Sequence, residues 1–213
     1  MSQPDTVTRI LDAAEELFAE KGFSETSLRM ITTKAKVNLA AVNYHFGSKK
    51  ELVQAVFGRF LTPFTHKLDK ELDKLSELKA EPNFNDVLGV LVKTMLVGVE
   101  PGVRDKKLSV FMRLLGLAYT QAQAHLRRFL FANYAVTYRR FINYLKQAHP
   151  DLSSREIFWR IHFAIGSVVF TMSSFEVLRN MAIEDTGVDS SIEDVMGLLM
   201  PFLSAALEQE SPA

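Results

Sequence analysis

Residues 26–50 contain Arg29, Lys34, Lys36, Lys49 and Lys50 and no acid, a net charge of +5. They follow directly on residues 5–25, which carry −4. Cations at this density suit phosphate, because backbone charge dominates affinity for nucleic acid. The uncharged residues between them have the matching chemistry. Asn38 and Asn43 carry carboxamides that can pair bidentately with adenine, and Leu39 and Ala40 carry methyl groups that can meet thymine. Tyr44, His45 and Lys49 can each donate to a phosphate oxygen. Thr26 and Ser27 bring hydroxyls to a helix start, where free backbone N–H groups favour an anion.

Other chemistries are poorly served. The five histidines (His45, His66, His125, His149 and His162) are scattered and form no HExxH or paired ligand motif. There is no cysteine, hence no thiol nucleophile and no Cys-ligated zinc. No serine or aspartate has a recognisable nucleophile context. The chain is therefore expected not to be an enzyme, and to need neither cofactor nor metal. A lipid carrier whose N-terminal part binds proteins rather than DNA is a rival from another class.

The elements that must position these residues are readable from period and caps. Val7, Ile10, Leu11, Ala14, Leu17 and Phe18 recur at three- and four-residue spacing, the mark of an amphipathic helix. Lys21-Gly22 should stop it. A second, short helix runs from N-cap candidates at residues 24–26 to Ala35. A tight link at residues 36–38 leads to a third helix over residues 39–45. Ser48 and Glu51 have capping-box spacing and open a long fourth helix to about residue 78. Two short helices joined by a three-residue turn, braced by an apolar first helix, make a helix-turn-helix. The second of the pair would enter the major groove with Asn38, Leu39, Ala40 and Asn43 towards base edges.

Beyond Pro82 every segment keeps helical period, with helices placed at 85–98, 105–118, 121–148, 153–183 and 191–208. The expected fold is all-α, about nine helices: a three-helix head over residues 1–48, joined by the long fourth helix to a ligand-binding and dimerisation bundle within residues 49–213. Residues 161–175 contain no Asp, Glu, Lys or Arg, and a helix apolar all round is buried on more than one side. A two-turn reading helix covers few base pairs, so specificity requires a second copy about 34–36 Å away. The helix at 161–175 and the last helix, through Met196, Leu199, Met200, Phe202 and Leu203, are expected to form the homodimer seam.

The apolar excess also suggests a cavity. There are sixteen Phe and eight Met, and methionine suits an adaptable lining. Met95, Phe111, Met112, Leu115, Phe129, Phe163, Phe170 and Met172 are candidate ligand contacts, with Arg113, Arg160 and His162 as polar anchors for an acidic head group.

The stretch ILDAAEELFAEKGFSETSLRMITTKAKVNLAAVNYHFGSKKEL resembles the N-terminal domain of TetR-family transcriptional regulators, over about the first 55 residues. The resemblance implies that Thr26 and Ser27 hold phosphate, that Leu39, Ala40 and Asn43 face bases, and that Tyr44, His45 and Lys49 clamp the backbone. The family usually has glycine where this chain has Lys36. If that position needs positive φ, a lysine costs on the order of 1 kcal/mol, and the gain would be one more phosphate held. NLAAVNYHFGSKK, FMRLLGLAYTQ, FWRIHFAIG and VMGLLMPF together resemble the PsrA-like subgroup. That implies a repressor of fatty-acid metabolism genes, released from a palindromic operator by a long-chain fatty acid or acyl-CoA. The alternative is a repressor of a multidrug efflux system that responds to hydrophobic drugs.

The first residues, MSQPDTVTRILDAAEELF, carry acids where a signal peptide needs cations. No stretch reaches the roughly 18–20 apolar residues of a membrane span. A cytoplasmic location is expected, with no membrane partner.

Overall fold

Asp5 opens the first helix, its carboxylate accepting the Thr8 N–H at 2.7 Å, which holds the carboxyl below its ordinary pKa. The computed structural model describes residues 5–77, 83–96, 104–121 and 124–209. Among them are ten helices and no strand. They are α1 (Thr6–Glu25), α2 (Leu28–Ala35), α3 (Leu39–Phe46), α4 (Lys49–Ser76), α5 (Phe84–Leu96), α6 (Arg104–Thr120), α7 (Ala124–Ala148), α8 (Ser154–Ser173), α9 (Phe175–Thr186) and α10 (Ile192–Glu208). The expected ends of the fourth helix at residue 78 and of the fifth at 97–98 lie outside the described residues.

The helices fall into two compact units. One comprises residues 1–63 and 110–133, the other residues 64–109 and 134–213. Helices α4, α6 and α7 each contribute to both, and in α4 the division falls at Pro63. A proline inside a helix removes one i→i−4 hydrogen bond.

In the first unit α1 packs on α2 and α3, burying Ile10, Ala14, Phe18, Ile31 and Val42. Full burial of a side chain such as Phe18 is worth about 1.5–3 kcal/mol. Aromatic contacts extend the core: Phe18 meets Phe23 edge-on at 5.5 Å, Phe23 meets Phe57 at 6.2 Å, and Phe111 stacks on Phe60 at 3.7 Å. On the surface of the unit Arg59 bridges Asp12 and Glu15 of α1 at 2.5 and 3.5 Å. Position 22 behaves as the sequence predicts. Gly22 takes φ 83° and ψ 168° and ends the regular part of α1.

The second unit is built on Leu68, Leu72, Val87, Phe141, Leu145, Ile157 and Ile161. Arg140 spans Asp69 and Asp73 at 2.6 and 2.5 Å, and the Thr137 hydroxyl donates to Asp69 at 2.7 Å. Capping boxes start both α8 (Ser153 with Glu156) and α10 (Ser191 with Asp194).

One expected helix proves to be two. The stretch placed at 153–183 breaks at Ser174, and α8 and α9 meet at a 74° bend. The Ser173 hydroxyl donates to the Phe170 carbonyl at 3.3 Å, as does the Ser174 N–H at 3.1 Å. Paired serines compete in this way with the helix ladder, which accounts for ten helices instead of nine. Among the described residues no single helix is long and apolar enough to cross a membrane; α8 and α9 reach that length and composition only as a bent pair.

Candidate nucleic-acid interface

The turn between α2 and α3 is closed by backbone geometry. The Lys36 N–H reaches the Thr33 carbonyl at 3.2 Å and the Val37 N–H reaches Thr32 at 3.0 Å. This reciprocal pair is the Schellman arrangement, which needs a left-handed residue at the position of Lys36. Lys36 supplies it at φ 54° and ψ 48°, the only non-glycine with positive φ among the described residues. Arg9 of α1 braces the same turn, its guanidinium within 3.5 Å of the Ala35 and Lys36 carbonyls. Lys36 itself is exposed.

Asn38 then caps α3, its side-chain oxygen accepting the Ala41 N–H at 2.8 Å. That cap stiffens the first turn while leaving the residue exposed. Val42 is fully buried and fixes the rotation of α3. Leu39, Ala40, Asn43, Tyr44 and His45 are consequently turned out to solvent. Tyr44 is 83% exposed and makes an edge-on contact with the His45 ring at 5.0 Å. An exposed tyrosine next to an exposed imidazole on an eight-residue helix contributes nothing to packing, so its use lies outside the fold.

Behind α3 the chain reverses at Gly47, whose N–H caps Asn43 at 2.9 Å. Ser48 accepts the Glu51 N–H at 3.3 Å to start α4. Lys49, in the first turn of α4, donates to the Ser24 carbonyl at 3.3 Å. Ser27 is exposed at the start of α2 and accepts the Met30 N–H at 3.2 Å. Ser27, Lys36, Asn38, Leu39, Ala40, Asn43, Tyr44, His45 and Lys49 are thus carried by one short segment, α2 to the start of α4. The α1 face beneath it is occupied by core.

Thr26 requires a correction. It is fully buried, and its hydroxyl donates to the Leu17 and Gly22 carbonyls at 3.0 and 2.8 Å. It closes the gap left where α1 breaks, and presents nothing to an anion. Lys34 is also spoken for: its ammonium pairs with Glu16 at 2.8 Å, which raises its pKa.

The expected ligand contacts divide between the units. Phe111 and Met112 are buried and Leu115 and Phe129 half-buried in the first. Met172 is buried and Met95 half-buried in the second. Phe163 and Phe170 do not belong with them, being 66% and 64% exposed. Their helix buries Ile157, Ile161 and Met172, so residues 163 and 170, two turns apart, fall on the outer face. Trp159 stacks on Phe163 there at 6.0 Å. Arg160 is no ligand anchor either, since it donates to the Leu207 and Gln209 carbonyls at 2.7 and 2.6 Å and so caps α10. The expected seam residues of α10 divide similarly. Met196 and Leu203 are buried in their own unit, while Phe202 and the unforeseen Leu198 are 61% and 75% exposed.

Sequence reasoning passed over Arg9 and Gln121. Arg9 reads as an ordinary surface cation, and Gln121 lies 98 residues from its partner, Phe23, whose N–H it accepts. Neither has a local signal.

Comparison with known proteins agrees with this geometry. Residues 10–56 match the family model of bacterial regulatory proteins of the tetR family, and residues 100–206 match a tetracyclin repressor-like C-terminal domain. An HTH-type transcriptional repressor of Mycobacterium tuberculosis is 43% identical over 67 residues, 32% of this chain and 36% of the relative. The HTH-type transcriptional regulator SrpR of Pseudomonas putida is 39% identical over 84 residues, 39% and 37% of the two chains. These matches span little more than a third of the relatives' lengths. Among solved structures, the hemolysin II transcriptional regulator HlyIIR aligns with TM-score 0.58 at 20% identity, over 96% of this chain and 98% of that one. A TetR-like regulator from Rhodococcus aligns with TM-score 0.57 at 15% identity, over 97% and 96%. The fatty acid degradation regulator FadR of Bacillus halodurans aligns with TM-score 0.51 at 16% identity, over 96% and 99%. At these identities the likeness is one of fold.

Proposed function

This chain belongs to the TetR family of transcriptional regulators, and from that premise we propose that it is a repressor that binds a palindromic operator as a homodimer and is released by a long-chain fatty acid or acyl-CoA, controlling fatty-acid metabolism genes. The observation that carries the DNA-binding reading is the outward display of Leu39, Ala40, Asn43 and Tyr44 on a helix rotationally locked by Val42. In this reading Leu39, Ala40 and Asn43 face base edges, and Ser27, Lys36, Tyr44, His45 and Lys49 hold phosphates on either side. The DNA-reading domain is residues 1–48, and residues 49–213 bind effector and partner.

Dimerisation is proposed through α8 and α10. Trp159, Phe163, Phe170, Leu198 and Phe202 are large apolar residues left in solvent on these helices. Such faces mark interaction surfaces, and a second copy is the partner that two operator half-sites require.

The fatty-acid effector is supported by the Phe- and Met-rich composition of the helices after residue 57 and by the PsrA-like sequence segments. Effector and DNA are coupled only through differential affinity for two states of the dimer. A hundredfold release from DNA needs about 2.7 kcal/mol of coupling. We place α4, which starts at Lys49 and enters both units, as the lever. A cytoplasmic location goes with this role. The test is a titration of a duplex selected from a randomised pool, with and without oleate or oleoyl-CoA. Weakened binding at saturating lipid is expected; unchanged affinity, or release by a hydrophobic drug alone, rejects the lipid reading.

A further inference from the structure

Cationic surface continues past the helix-turn-helix. Gln121, which follows α6, accepts the Phe23 N–H at 3.3 Å. The next residue, Ser24, accepts from Lys49 Nζ at 3.3 Å. Two consecutive residues of the α1–α2 corner are thus held by the end of α6 and the start of α4. Helix α7 begins three residues beyond Gln121, within the same compact unit. Its first turns carry His125, Arg127 and Arg128.

Burial, then the charges of Lys50 and Arg128, hold the His125 imidazole below its ordinary pKa. Its Nε2 is shut off from solvent without a hydrogen-bond partner. Lys50, Arg127 and Arg128 are all exposed.

Acids lie on the neighbouring elements. Glu20 is paired with Lys21 at 3.2 Å. The Glu51 carboxylate is folded over Gly47, where an added Cβ would lie 2.6 Å from it. Glu25 remains, at the end of α1. The two arginines also differ from several others among the described residues. Arg59, Arg140 and Arg179 are committed to carboxylates and Arg160 to carbonyls. No ion pair or hydrogen bond holds the Arg127 or Arg128 guanidinium among the described residues.

We propose that Arg127 and Arg128 form a second phosphate-binding strip, which grips duplex DNA flanking the sequence read by α3. The inference rests on the DNA-binding reading above. In that reading Ser27 and Lys49 mark the edge that follows the phosphate backbone, and α7 starts three residues after Gln121, which is held to the same α1–α2 corner as Lys49. An uncommitted guanidinium, with its planar fork of donors, is the side chain best matched to phosphate. The strip contributes affinity and no sequence preference.

The test compares a selected duplex trimmed to its motif with the same duplex extended by one helical turn of arbitrary sequence at each end. Binding is measured against salt for the wild type, the double variant Arg127→Ala/Arg128→Ala and the charge-keeping Arg127→Lys/Arg128→Lys. For every phosphate the protein ceases to neutralise, the slope of log affinity against log salt falls by about 1. The alanine variant should therefore be shallower by about 4 on the extended duplex, two phosphates for each of two copies, and unchanged on the trimmed one. The lysine variant should keep the wild-type slope, which shows the fold intact. An unchanged slope on the extended duplex, or an equal decrease on both duplexes, overturns the strip. Failure of the wild type to bind either duplex instead overturns the reading on which it rests.

Discussion

The carboxamide end of Gln121 lies directly against Gly22 and would have to shift to admit a side chain there. A Cβ on Gly22 would stand 2.8 Å from the Gln121 Nε2, while Oε1 of the same carboxamide accepts the Phe23 N–H at 3.3 Å. The end of α6 is thereby held to the break in α1 that precedes α2 and α3. Gly22 also lies at φ 83°, ψ 168°, a region essentially confined to glycine.

Gly22→Ala should accordingly destabilise the first unit by roughly 1–3 kcal/mol from backbone strain, with only a small further loss as the flexible end of Gln121 shifts aside. Denaturant titration reads this as a lower midpoint at unchanged slope. Combining it with Gln121→Ala should recover the steric part alone, because the backbone strain is independent of the partner.

Lys36→Gly should move stability and DNA affinity in opposite directions. The left-handed conformation costs a lysine about 1 kcal/mol or more, part of which glycine returns to the unfolded chain as entropy. A net gain of about 0.5 kcal/mol is expected. If Lys36 holds a phosphate, the same variant binds every duplex more weakly. Thermal melting and a binding titration on one preparation check both arms.

His125 gives the first unit a pH dependence near neutrality. Its folded pKa is lowered from 6.5, so the unfolded chain takes up the proton first. Its stabilising contribution is complete above pH 6.5 and is lost as pH falls through the lowered folded value. His125→Gln should flatten the fall in unfolding midpoint below pH 6.5. An unchanged profile in the variant would assign that fall to other groups.

Leu198→Glu with Phe202→Glu should dissociate the proposed dimer while leaving the protomer folded. Both side chains are in solvent, and the core of α10 is made by Met196, Leu203 and Leu207. Burying two glutamates in each half of an apolar seam should raise the dimer Kd by at least about 100-fold, or 2.7 kcal/mol. Sedimentation equilibrium measures it.

Much of this molecule is written locally in its sequence. Gly22, Asn38 and Ser48 announce helix boundaries through their own backbone and side-chain preferences, and the charge switch at residue 26 marks the candidate interface. The failures share a cause. Thr26 has the composition of an anion-holding helix start, yet its hydroxyl is drawn inward by carbonyls at Leu17 and Gly22, which only the folded break of α1 presents. Phe163 and Phe170 lie in a segment apolar all round, where periodicity cannot tell the inner face from the outer. The inner face is chosen by what packs on Ile157 and Ile161. The break at Ser174 is similar, since a serine pair is tolerated in many helices and interrupts this one.

The most direct test of the central claim is a hydroxyl-radical footprint of the protein on its selected duplex, for the wild type, Tyr44→Ala, Lys49→Ala and Asn43→Ala. Two protected patches about one helical turn apart are expected, one for each α3 of a dimer. Tyr44→Ala and Lys49→Ala should weaken both patches on every duplex alike, and Asn43→Ala should change which duplexes are protected. A single patch, or protection indifferent to all three residues, would contradict the account.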